Sequence, residues 1–155
     1  MAVAKNKLKK AAQVLFVLYI ILLFYFLFFA ESFGRTDVSA DYRWNLSLFR
    51  EIRRYWEYRQ TIGVKIFFIN IVGNVLAFMP FGFFWPLLWD FKANWLATTL
   101  NTLTLSLAAE VVQLVYKLGS FDVDDLFLNT IGGFLGYLLC YLLIRRKQIR
   151  KAERK

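Results

Sequence analysis

Apolar and polar positions fall along this chain in long blocks rather than in the short periods of a soluble fold. Residues 14–30 read V-L-F-V-L-Y-I-I-L-L-F-Y-F-L-F-F-A, with no charged or amide side chain. Three more apolar blocks follow at 66–89, 96–116 and 124–144. About 20 apolar residues in a helix cross the hydrocarbon core of a bilayer. The pattern therefore predicts four transmembrane helices over 14–30, 66–89, 96–116 and 124–144. No A-x-A cleavage site follows the first block, which reads as an uncleaved helix rather than a signal peptide. The one long polar segment is the outer loop at 31–65. Within it Leu48, Ile52, Tyr55 and Trp56 recur at helical spacing, while Arg50, Arg53, Arg54 and Glu57 occupy another face. That pattern predicts a short amphipathic helix at the membrane surface, its arginines in water or against an anionic head group. The expected fold class is an all-α integral membrane protein. Its membrane domain covers 14–144, between a basic N-terminus at 1–13 and a basic tail at 145–155.

Polar residues inside the apolar blocks are not scattered. Asn70 and Asn74 lie one helical turn apart and share a face. Ser106, Glu110, Gln113 and Lys117 follow at spacings of four, three and four, which makes one stripe on the third span. Asp122, Asp125, Asn129, Gly132 and Gly136 make a second stripe on the fourth. Gly132 and Gly136 form a G-x-x-x-G pair of the kind that lets two helices approach closely, within one subunit or between two. Pro80 removes the hydrogen bond to the Leu76 carbonyl and is expected to kink the second helix or end its regular part.

Composition settles the class. The apolar fraction is 59% and the aromatic fraction 19%, above the roughly 45–50% apolar content of soluble domains. The net charge of +9 does not indicate nucleic acid, because the basic residues gather at the termini and no solvated basic fold is present. Of 20 Lys and Arg, twelve fall on the side of the termini: four in the N-terminus, Lys92, and seven in the tail. Eight fall on the other side. Orientation follows Lys/Arg counts near the spans, so both termini are expected in the cytoplasm. The single cysteine, Cys140, rules out an internal disulfide. With no histidine, a Ser-His-Asp triad, a histidine base and a His-based metal site are all absent.

With this topology three helices bring Asn70, Asn74, Glu110, Gln113, Asp122, Asp125 and Asn129 to one depth in the outer third of the membrane. Arg50, Arg53 and Arg54 lie above them. Ionisable groups in a membrane normally face the protein interior or a wet cavity. Several readings of the cluster stand side by side. It can be structural, fixing the bundle by hydrogen bonds. It can be a head-group pocket, with carboxylates and amides binding sugar hydroxyls, amines or a cation and the arginines any phosphate. Buried carboxylates such as Glu110 suit general acid–base work, which would make the protein a membrane enzyme acting on a polyprenyl or phospholipid head group. Asp122, Asp124 and Asp125 carry oxygen ligands for a hard cation, although the turn lacks the glycine-anchored spacing of a calcium loop. A Glu–Asp proton relay is a further reading, disfavoured by the lack of an evident repeat in four spans. No catalytic set, metal site or cofactor is assigned, and the expected partners are membrane lipids.

Certain stretches resemble a known family. They are N-L-S-L-F-R-E-I (45–52), N-I-V-G-N-V-L-A-F-M-P-F-G (70–82), E-V-V-Q-L (110–114) and F-D-V-D-D-L-F-L-N-T-I-G-G-F-L-G-Y (121–137). In order and spacing they are similar to the VanZ-like family, with Leu48 where the family more often has a proline. The resemblance covers nearly the whole chain. It implies a small multi-pass protein of a bacterial plasma membrane with about four helices. The family takes its name from a member that lowers susceptibility to teicoplanin, with much less effect on vancomycin, and it brings no biochemical mechanism. Teicoplanin carries an acyl chain that anchors it in the outer leaflet. An outer-leaflet pocket for the lipoglycopeptide, or for the lipid-linked wall precursor beside it, is the function this resemblance suggests.

Overall fold

The computed structural model of the chain describes residues 2–29, 42, 44–90 and 92–145. The start of the outer loop and nearly all of the basic tail lie outside the described residues. Four long helices occupy the four apolar blocks: α1 (Ala2–Phe29), α4 (Val64–Leu88), α5 (Trp95–Val115) and α6 (Val123–Cys140). Helix α1 begins well before the apolar block because its flank, rich in Ala, Lys and Leu, consists of strong helix formers. Two short helices, α2 (Arg50–Glu57) and α3 (Arg59–Ile62), fall in the loop at 31–65, and a turn of π-helix at Tyr141–Arg145 continues α6. One feature departs from an all-helical expectation. Strand β1 (Trp44–Asn45) pairs in parallel with β2 (Phe121–Asp122), in the register Trp44 to Phe121 and Asn45 to Asp122. Pairing of this kind has no periodic sequence signature at a length of two residues.

Among the described residues, three helical stretches are long and apolar enough to cross a membrane: Lys9–Phe29, Phe68–Leu88 and Val123–Leu143. Helix α5 is as long, 21 residues, but Thr98, Thr99, Asn101, Thr102, Thr104 and Ser106 make it more polar. Its two faces differ sharply. Thr98, Thr102, Ser106, Glu110 and Gln113 are buried, whereas Leu96, Leu100, Leu103, Leu107, Val111 and Val115 are exposed. Apart from Asn101 and Thr104, which are exposed, α5 thus turns its polar side chains inward and its large apolar ones outward, the reverse of a soluble core and the arrangement suited to lipid.

Helices α4 and α6 make the closest contact in the bundle, and glycine makes it possible. A Cβ atom on Gly136 would lie 1.9 Å from the Met79 carbonyl oxygen, and one on Gly132 would lie 2.2 Å from that of Val75. The G-x-x-x-G pair therefore serves packing within the chain. Near the other end of α4, an aromatic group of Phe16, Phe81 and Trp85 joins it to α1, with Phe81 and Trp85 stacked at 5.0 Å.

Pro80 does not end α4, which continues as one helix to Leu88. Next to the Leu76 carbonyl that the proline leaves free, the Tyr19 hydroxyl of α1 donates to the Ala77 carbonyl at 2.8 Å.

Gly136→Ala is expected to force α4 and α6 apart and lower stability by about 1–3 kcal/mol or more, the usual cost of overpacking. Gly73→Ala meets nothing within 4 Å and should be neutral or slightly stabilising. Thermal unfolding of both variants in detergent micelles distinguishes them, and equal melting temperatures would contradict the packing described.

Candidate functional site

The turn between α5 and α6 and the first loop are joined by carboxylates, each set by its place in the sequence. Asp122 directly precedes the apolar run of α6 and caps it: the Asp124 N–H donates to Asp122 Oδ1 at 2.8 Å. The same oxygen accepts the Asn45 side-chain amide at 3.1 Å. Asn45 in turn accepts from the Ser47 N–H at 3.1 Å, closing a local turn. From below, Glu110 Oε2 accepts the Asp122 N–H at 2.9 Å. Asn45, Glu110 and Asp122 are all buried.

Asp124, only 1% exposed, turns to another partner. Its carboxylate accepts the N–H groups of Phe49, of Glu51 at 2.7 Å and of Ile52 at 3.2 Å. These are donors at the start of α2, which no side chain of its own loop caps. A carboxylate there satisfies otherwise orphaned N–H groups and meets the positive end of the helix dipole. Phe49 adopts φ 65°, a left-handed conformation that a bulky residue holds only under constraint. Its N–H bond to Asp124 and the edge-on packing of its ring against Phe127 at 5.3 Å provide that constraint.

Asp125 points a third way. It accepts the Asn74 side-chain amide of α4. One turn further along α6, Asn129 donates to the Ser106 hydroxyl of α5 at 2.9 Å. Its carbonyl oxygen, Oδ1, is buried and has no hydrogen-bond partner among the described residues. Ser106 and Asn129 thus meet across the α5–α6 seam, with Glu110 one turn from Ser106 on α5 and Asp125 one turn from Asn129 on α6.

Of the residues expected at the site, Glu110 and Asp122 bond to each other, Asn74 to Asp125, and Asn129 to Ser106, three sets of contacts that make up this layer. Asn70 lies half-buried one turn from Asn74. Gln113 leaves the cluster and donates to the Leu27 carbonyl at 2.8 Å, so it satisfies an acceptor in the last turn of α1. Arg50 is exposed at the start of α2. Arg53 pairs with Glu57 at 2.7 Å and Arg54 with Glu51 at 2.6 Å, so both contact acids of their own helix. Asp122, Asp124 and Asp125 fan out to different partners, and among the described residues no group of three or more acidic or cysteine side chains converges as metal ligands would.

Asn45, Ser106 and Asp124 also belong to the layer: Ser106 stood in the α5 stripe and Asp124 among the oxygen ligands without being named site residues, and Asn45 was not singled out. Asp124 carried a signal nonetheless. An acid in the first turn after a capping Asp, in an otherwise apolar helix, requires a partner.

Burial raises the Asp122 carboxyl above the ordinary carboxylate range. The Asp124 N–H and the Asn45 amide oppose that shift, while the nearby charges of Asp124 and Glu51 add to it.

The sequence model of the VanZ/LLP1 family matches residues 16–145. Protein VanZ of Enterococcus faecium is 34% identical over 88 residues, 56% of this chain and 53% of that protein. The aligned part thus spans about half of that curated relative's length. No solved structure matches the chain.

Two measurements test the layer. Asp124→Ala leaves three N–H groups without their acceptor and should cost about 2–4 kcal/mol. Amide exchange at Phe49, Glu51 and Ile52 should speed up more than in α6, and unchanged protection there would contradict the capping role. The pH dependence has a definite sign. Well below pH 4, Asp122 is protonated whether folded or unfolded; as pH rises from the unfolded carboxyl value of about 3.9 toward the raised native one, the unfolded chain releases its proton first and folding loses stability, and above the native pKa the loss grows no further. Asp122→Asn should therefore gain on the wild type as pH rises from about 4. Parallel melting curves across that range would show that the burial effect is absent.

Proposed function

This chain belongs to the VanZ/LLP1 family, and on that premise we propose a four-span protein of a bacterial plasma membrane, both termini cytoplasmic, that recognises a polar group at the outer leaflet. The group is that of a lipid-linked envelope component or of an acylated glycopeptide, and its recognition lowers sensitivity to teicoplanin. Helix α5 is the remaining span, third in chain order. Its polar side chains are satisfied along its own backbone: Thr98, Thr99, Asn101, Thr102 and Thr104 donate to carbonyls four residues earlier at 2.7–2.9 Å. Side chains bonded in this way no longer need water, so mean hydropathy understates how readily α5 enters lipid. Helix α2 lies at the surface, with Trp56 and the arginines outward.

The observation that carries the recognition reading is the Asn129 carbonyl. It is a buried acceptor without a partner, in a layer where the neighbouring amides and acids are engaged. Such an atom accepts from a donor, and the donors on the proposed ligands are hydroxyls and amines. A second reading belongs to Asp122 and Asp124, whose bonds to backbone and to Asn45 favour a structural clamp. The two readings divide between different carboxylates. Glu110 and Asp125 border Asn129, and Asp124 holds α2.

Glu110→Gln and Asp125→Asn keep size and remove charge. Expressed in a glycopeptide-susceptible host, the wild type should raise the inhibitory concentration of teicoplanin well above that of the empty vector, with little change for vancomycin. The variants should reach the membrane in normal amount and lose at least about tenfold of any binding, the effect of one charge-assisted contact of ~1.4 kcal/mol or more. Variants that vanish from the membrane would make the whole layer structural. A wild type that protects against nothing would overturn the resistance reading.

A further inference from the structure

At the end of the bundle away from the carboxylate layer, Trp95, Phe134, Tyr137, Leu138 and Tyr141 line an open apolar cavity of about 450 Å³. It lies between the start of α5 and the last turns of α6. Its size is in the range of sites that hold a small ligand. The Trp95 ring meets Phe134 edge-on at 6.3 Å, and Tyr137 and Tyr141 stack at 6.4 Å. Trp95 is 53% exposed and Leu138 40%, so the groove opens sideways from the bundle. In a membrane protein it therefore opens toward lipid, and Trp and Tyr at a helix end are the side chains of the interfacial belt.

The charge around this end has one sign. Lys92 is exposed three residues before Trp95. The nearby acid, Asp90, already pairs with Lys9 at 2.6 Å. The sequence that follows Tyr141 carries seven Lys and Arg and a single acid, Glu153. A site at the base of a basic membrane face accepts anionic head groups. We propose that this groove is a binding site for an anionic phospholipid, with one acyl chain along Trp95, Phe134 and Leu138 and the head-group phosphate at Lys92. The site is separate from the carboxylate layer and does not depend on the function assigned to that layer.

The test uses the full chain in nanodiscs of phosphatidylglycerol or phosphatidylcholine, with lipids retained after transfer to detergent counted by native mass spectrometry. Wild-type protein should retain phosphatidylglycerol in preference to phosphatidylcholine. Lys92→Glu should weaken phosphatidylglycerol retention at least about fivefold, the factor for one charge near a membrane surface, and leave phosphatidylcholine unchanged. Leu138→Trp, at an exposed position, should fill the groove and lower retention of both lipids without changing the melting temperature in lipid-free detergent. Tyr141→Ala serves in its place if that variant does not accumulate. Equal retention of the two lipids by the wild type, or a preference untouched by Lys92→Glu and Leu138→Trp, overturns the proposal. So does a dimer that Leu138→Trp converts to monomer, because a second copy would then cover the groove.

Discussion

A polar group placed inside this bundle has no water to turn to, and that constraint organises the rest of the structure. Each unsatisfied backbone or side-chain group in an apolar surround costs kilocalories. The chain answers with bonds that are local where they can be and span between elements where they cannot. On α5 the threonines bond back to their own helix. Beside Pro80 a tyrosine from α1 reaches the carbonyl of Ala77. At the end of α1 the Leu27 carbonyl accepts from Gln113 of α5. The interior can therefore be polar along α5 while the exterior is apolar, and no large buried hydrocarbon core is needed to hold the helices.

What replaces such a core is close approach. The glycine faces of α6 let the backbone of α4 come within reach, so that contact is made by main chain rather than by long side chains. Packing of this kind is favourable in lipid, where burying apolar side chains gains little over leaving them among acyl chains. It also fixes the relative height of α4 and α6, which places Asn74 level with the Asp125 carboxylate. The α5–α6 pairing likewise sets Ser106 against Asn129. The layer of polar contacts is thus a consequence of helix packing, and Asp122 and Asp124 then extend it to the first loop.

How much of this could be read from sequence depends on the periodicity of each feature. The apolar blocks gave the long helices, since a run of 20 residues has no other reading. The stripe through Ser106, Glu110 and Gln113 marked the buried face of α5 because spacings of three and four fix a face on any helix. The glycine pair marked a close contact, though only the fold assigns it to α4. The strand pair of Asn45 with Asp122 was not legible: two residues carry no period, and their partners lie 77 positions apart. Asp124 was legible as an acid in need of a partner but not as the cap of α2, because a cap supplied by a distant segment leaves no local motif. The arginines were read as lying in water or against an anionic head group, and their intrahelical partners were not singled out. Glu51 and Glu57, on their own helix at spacings of three and four, are nearer partners for Arg54 and Arg53.

The carboxylates of the layer differ in what they leave undone. Asp124 spends both oxygens on N–H groups of one helix start, and such a residue is explained by the loop it holds. Asn129 is not explained in this way. An amide whose carbonyl is buried without a donor costs about 1–3 kcal/mol, and an apolar side chain would avoid that cost. A bound water or a donor from outside the described residues would remove it. The proposed recognition takes the second course, because among the described residues Asn129 is the buried side chain left with an unpartnered oxygen.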